Sequence, residues 1–194
     1  METDNRFRIA VDIGNKTLLE KLEGVEVDAV LISHIHGDHF SIDQINKISP
    51  RNIYMNQECI DAVGEGAITA GIHRIKDGET VDVGGIEILP FNVDHGPNVS
   101  SPLAENFGFI IKVDGKTVYF AGDMFYESGV DVDALEVDIA LIPVGTFYTF
   151  GPEEAYSFVK KFKKIDKIVS MHYEKMPETK TQFLELTKSL FNAE

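Results

Sequence analysis

Three imidazoles and a carboxylate, those of His34, His36, His39 and Asp38, fall within six residues in the run Ser33-His34-Ile35-His36-Gly37-Asp38-His39. Crowding such groups in a protein interior is costly unless a cation compensates them. The run follows Val27-Asp28-Ala29-Val30-Leu31-Ile32, a short apolar segment that reads as a buried strand. It precedes Ser41-Ile42-Asp43-Gln44, where Ser41 reads as a helix N-cap and Gln44 as the closing member of a capping box. The four groups are therefore expected on a strand-to-helix loop, a common place for functional residues on a rigid scaffold.

The other histidines are His73, His95 and His172. His95 closes the run Ile86 to Val93 and then Asp94. His172 follows Ile168-Val169-Ser170-Met171. Asp123 follows Thr117-Val118-Tyr119-Phe120-Ala121-Gly122 in the same way. All of these sit at the C-terminal end of a strand-like segment, and neighbouring strand ends converge in space. His73, in Gly71-Ile72-His73-Arg74-Ile75, reads instead as a solvated strand residue.

In this order the residues resemble the signature of the metallo-β-lactamase-fold hydrolases, H-x-H-x-D-H followed by a lone His, a lone Asp and a final His. The resemblance runs from about Ile9 to the C-terminus. Phe107-Gly108-Phe109, Tyr119-Phe120-Ala121-Gly122-Asp123, Asp138 to Gly145 and Gly151-Pro152-Glu153-Glu154-Ala155 add to it. They point to a branch of metal-dependent hydrolases similar to the L-ascorbate-6-phosphate lactonases and, more distantly, to N-acylphosphatidylethanolamine phospholipase D. The resemblance implies an α+β fold, the four-layer αββα sandwich. It implies one metal on His34, His36 and His95, a second on Asp38, His39 and His172, and Asp123 bridging both. It also implies a dinuclear hydrolase whose metal-bound hydroxide cleaves a small ester, lactone or phosphodiester, with Asp38 and Asp123 as catalytic residues. The alternatives are a non-catalytic metal-binding protein and a di-iron redox domain. Imidazole and carboxylate suit zinc, manganese or iron. Two divalent ions are expected, zinc first, with Mn2+ and Fe2+ as alternatives. Cys59 is the only cysteine, so a thiolate cluster is excluded.

At 194 residues the chain is expected to form one domain, residues 1–194, with a full core. The formal net charge of −14 repels polyanions and disfavours nucleic acid as a partner, leaving a small-molecule substrate. No apolar run approaches membrane-spanning length and Met1 to Arg8 is not a signal peptide, so a cytoplasmic protein without a membrane partner is expected.

Strands are expected over Phe7 to Asp12, Val27 to Ser33, Asn52 to Met55, Ile68 to Ile75, Glu79 to Val83, Ile86 to Val93, Phe107 to Val113, Lys116 to Ala121, Ile139 to Val144 and Lys167 to Met171. Asp114-Gly115 reads as a hairpin turn. Helices are expected over Ser41 to Ile48, Gln57 to Val63, Pro152 to Lys163 and Glu178 to Phe191, the last with Phe183, Leu186 and Leu190 on its apolar face. Relatives usually carry several strands before the residue that resembles Asp12, whereas only about one fits here. The first sheet is thus expected to be shortened at its N-terminal part, and its edge to be completed by a homo-oligomer. Tyr148, Phe150 and Tyr173 are candidate pocket walls. Asn98 and Ser100, just beyond His95, are candidate contacts for a polar substrate group.

Overall fold

The computed structural model describes all residues except 5, 19, 21–25, 100–102, 189, 191 and 194. Its strands form two sheets. The first is wholly parallel, in the order β1 (Ile9–Val11), β2 (Ala29–Leu31), β3 (Asn52–Met55), β4 (Gly71–Arg74). The second runs β11 (Asn192–Ala193), β10 (Lys164–Met171), β9 (Glu136–Pro143), β8 (Lys116–Phe120), β7 (Phe107–Val113), β6 (Ile86–Asn92), β5 (Val81–Val83). It is antiparallel from β5 to β8 and parallel from β8 to β11. The helices are α1 (Ile42–Ile48), α2 (Gln57–Asp61), α3 (Pro152–Val159) and α4 (Pro177–Thr187).

Period-two alternation sorts the side chains into layers. In β2, Ala29 and Leu31 face the second sheet, where they meet Ile88, Phe107, Phe109 and Phe120. Val30 and Ile32 face the other way, against Ile45 of α1 and Cys59 of α2. In the second sheet Tyr119, Ala140, Ile142 and Ile168 turn outward onto Ala155, Phe158 and Val159 of α3 and Phe183 of α4. Three apolar interfaces thus separate four layers: helices, sheet, sheet, helices. This is the expected α+β sandwich.

Asp114 and Gly115, with φ of 48° and 73°, make the expected hairpin turn between β7 and β8. Boundaries differ elsewhere. Ser41 occupies the N-cap of α1 with extended backbone, but its side chain makes no capping bond, so the expected capping box does not form. Its amide instead donates to the Ile13 carbonyl, which pins the loop to the sheet. Helix α2 stops at Asp61 and α3 at Val159, because the chain after α3 turns to pair Lys164 with Glu136 and starts β10 early. The buried face of α4 is Thr179, Phe183 and Thr187, spaced four apart, while Leu190 is exposed beyond the helix end. The expected last residue of that helix, 191, lies outside the described residues. Lys161, Lys163 and Lys164 sit at the surface and pair with Glu127, Glu136 and Asp166.

β1 is the outer strand of the first sheet. Met1 folds back along its start, its amino group donating to the Ile9 carbonyl at 2.7 Å. Beside β1 an apolar groove of about 810 Å³ opens between the sheets, lined in part by Val11, Val118, Phe120, Ile139 and Leu141.

Candidate metal centre

Strand ends deliver every donor. The loop after β2 carries His34, His36, Asp38 and His39. The ends of β6, β8 and β10 carry His95, Asp123 and His172. They meet around one oxygen, Asp123 Oδ2, with His172 Nε2 at 3.0 Å, His39 Nε2 at 3.2 Å, His95 Nε2 at 3.3 Å and His34 Nε2 at 4.0 Å. His34 Nε2 and His36 Nδ1 lie 3.0 Å apart. Three groups have donor atoms within 4.8 Å of one another: His34, His36 and His95; His34, His39 and Asp123; Asp38, His39 and His172.

The backbone makes this convergence. Gly14 presses on the loop, since a Cβ there would lie 1.9 Å from the Asp38 carbonyl oxygen. Gly122 has φ 61°, and a Cβ would lie 2.5 Å from the Phe107 carbonyl oxygen. His172 itself is left-handed, with φ 60°, a conformation that costs a non-glycine residue on the order of 1–2 kcal/mol. The Ser33 carbonyl accepts from the Phe107 amide and joins the loop to the second sheet.

The donors suit a cation. His95 is buried, and neither ring nitrogen has an aligned hydrogen-bond partner. Asp123 is buried too. Burial works against its carboxylate, but His39, His172 and His95 around it hold its pKa well below the ordinary value. At His34 burial dominates, with the charge of His39 adding to it, and its pKa falls well below normal, leaving a neutral imidazole. At His39 burial is outweighed by the carboxylates of Asp123 and Asp12, which raise its pKa well above normal. Nitrogen and oxygen donors in this arrangement fit zinc, manganese or iron.

A family model described as a Beta-lactamase superfamily domain matches residues 1–172. A UPF0173 metal-dependent hydrolase of Korarchaeum cryptofilum is 31% identical over 180 residues, 89% of this chain and 75% of that one. The chain belongs to the metal-dependent hydrolases of the beta-lactamase superfamily. A UPF0173 metal-dependent hydrolase of Pelotomaculum thermopropionicum is 34% identical over 175 residues, with 84% and 75% of the two chains covered. Among solved structures, Igni18, a metallo hydrolase of Ignicoccus hospitalis, shares the fold of this hydrolase at a TM-score of 0.73 and 23% identity, over 96% of this chain and 85% of that one.

Next to the donors the hydrolase has a cavity of about 220 Å³, lined by His36, Gly37, Asp38, His95, Val99, Asp123, Tyr148, His172 and Lys175. Of the residues expected to touch substrate, Tyr148 lines it. Tyr173 does not, and packs half-buried against the core beneath α3 and α4. Phe150 is buried in that same core. Asn98 donates to the Phe147 carbonyl at 2.7 Å, tying two loops together rather than facing the cavity. Ser100 lies outside the described residues. His73 is exposed on β4, stacked on Tyr54 and bonded to Asn52, away from the donors.

Three residues outside the expected site set also support or line the cluster of donors. Asp12 accepts from His39 Nδ1 and the Ser33 hydroxyl, both at 2.8 Å, and its other oxygen accepts from the Ser33 amide. Asn106 donates to the carbonyls of Val93 and Asp123 and so ties two donor-bearing loops. Lys175 puts a positive charge on the cavity wall. Only the position of Asp12 at the end of a strand hinted at its part.

Proposed function

We propose that this hydrolase is dinuclear and cleaves a small ester, lactone or phosphodiester. The observation that carries the proposal is the gathering of seven donor residues, Asp123 among them, into three overlapping groups whose donor atoms lie within 4.8 Å of one another. In this reading His34, His36 and His95 hold one divalent cation, zinc first, and Asp38, His39 and His172 hold the other. Asp123 serves both, since its Oδ2 contacts imidazoles of each triad. Bound there, divalent cations supply an acidified water and Lewis acidity toward the scissile group.

The chain's own residues do the rest. Asp12 fixes His39 with Nε2 directed at Asp123, through the bond to Nδ1. Ser33 does the same for His34, its hydroxyl 2.9 Å from Nδ1. Asp38 lines the cavity. Burial opposes its ionisation, but His39 and a backbone hydrogen bond outweigh it and lower its pKa. The ionised carboxylate takes the proton from the attacking water and returns it to the leaving group. Tyr148 supplies a wall with a hydroxyl donor. Asn98 and Tyr173 act behind it by fixing the loop and the core that support the cavity.

The first test is elemental analysis of protein purified without chelators, followed by assay on chromogenic esters, lactones and phosphodiesters. About two transition metals per chain and turnover of one class are expected. Protein that stays empty after reconstitution with zinc, manganese and iron overturns the reading. Asp123→Ala should fold, judged by circular dichroism, and lose most turnover. Full turnover with two metals bound would refute the bridging role. The open groove beside β1 is proposed to be covered by a second copy of the chain, because an edge strand and an adjoining apolar face both favour pairing.

A further inference from the structure

Lys175 lies on the loop between β10 and α4, three residues beyond His172, and its side chain lines the cavity beside Tyr148, Asp38 and His95. Its ammonium sits 5.0 Å from the centre of the Tyr148 ring. Among the described residues no carboxylate lies within 4.0 Å of it. Lys160 and Lys180 lie over Tyr156 and Tyr173 in the same way, also without a carboxylate partner among the described residues, and what sets Lys175 apart from them is its place on the cavity lining. Lys76, Lys112, Lys116, Lys161, Lys163 and Lys164 each pair with a carboxylate at the surface. With 32 acidic residues against 18 basic ones, a carboxylate partner is the ordinary fate of a lysine here. Lys16, near the same cavity, follows that pattern and lies 3.7 Å from Asp38.

A ring face orients an ammonium without neutralising it. Tyr148 therefore holds the charge of Lys175 beside the cavity while leaving it free to meet an anion. The cavity, at about 220 Å³, is smaller than the roughly 300–1,000 Å³ typical of drug-sized ligands, so its occupant is small. The geometry points to Lys175 as a specificity-determining residue that binds an anionic group, a carboxylate or a phosphate, carried by the substrate away from the scissile bond. This rests on the hydrolase reading of the adjoining donors and narrows it to acidic substrates. An ammonium on a flexible stem accepts either anion as a point charge, so the shared chemistry is the negative charge.

The test uses the zinc-reconstituted full chain, Lys175→Met, which keeps the apolar stem, and Lys175→Arg, which keeps the charge. Lys175 is exposed, so both variants should fold and carry the wild-type amount of zinc. Binding of succinate and of inorganic phosphate is measured by calorimetry. KM is measured for matched p-nitrophenyl esters, one neutral, one bearing a carboxylate and one bearing a remote phosphate. Lys175→Met is expected to weaken anion binding and raise KM for the charged esters about tenfold, to leave the neutral ester unchanged, and to be rescued by Lys175→Arg. Whichever charged ester loses more identifies the anion. Equal effects on charged and neutral esters, unchanged anion affinity, or no anion binding by wild type would each overturn the assignment while leaving hydrolysis intact. Lysine-dependent anion binding without turnover of any ester would instead sink the hydrolytic reading and keep the anion site.

Discussion

Asp12 stands in the left-handed region, φ 54°, and its carboxylate accepts from His39, from the Ser33 hydroxyl and from the Ser33 amide. An acidic partner on the far nitrogen of a ligating imidazole fixes its tautomer and its aim. Asp12→Asn keeps a side chain that tolerates the left-handed backbone, but it replaces one acceptor oxygen with a donor. Zinc affinity, measured by competition with a chromogenic chelator, should fall roughly 10- to 100-fold. An unchanged affinity would assign Asp12 to the loop fold alone. At this scale the sequence is uneven. The donor run from His34 to His39 is legible because its residue types have few other uses at that spacing. The place of Lys175 on the cavity wall and the loop-tying bonds of Asn106 are illegible, because a lone Lys or Asn in a loop has many ordinary uses and only contact distinguishes them.

Strands β9 and β10 pair in parallel from Lys164 with Glu136 to Met171 with Pro143, so their C-terminal ends lie side by side. Gly145 follows one end and His172 the other. A Cβ on Gly145 would lie 2.1 Å from the His172 carbonyl oxygen and 3.0 Å from its Nδ1. Neither atom can yield without moving the imidazole. Gly145→Ala should cost about 1–3 kcal/mol in urea unfolding and weaken zinc binding. A variant that loses stability but binds zinc like wild type would show that the strand ends relax independently. Element existence was readable from apolar period and turn residues, as Asp114-Gly115 shows. Element ends were less so. α3 ends at Val159 because pairing of Lys164 with Glu136 claims the next segment, a long-range contact that helix propensity does not contain.

For the whole molecule, the open flank beside β1 sets apolar attraction against a net charge of −14 on each copy. Salt screens the repulsion and leaves burial of the groove unopposed. Sedimentation velocity should therefore show a dimer whose population grows with protein concentration and with added salt, and a monomer under all conditions would refute self-association through this face. The sequence by itself determined the alternation that makes four layers, the family, and the set of strand-end histidines and aspartates, since these depend on residue type and spacing along one chain. Only the tertiary structure decided which ring nitrogen faces which oxygen, how Asp12 holds His39, that Tyr173 and Phe150 support the core while Tyr148 faces the cavity, and that Lys175 lines it unpaired. Those facts depend on where separate strand ends and loops meet, and close packing fixes such meetings to fractions of an ångström that no linear pattern records.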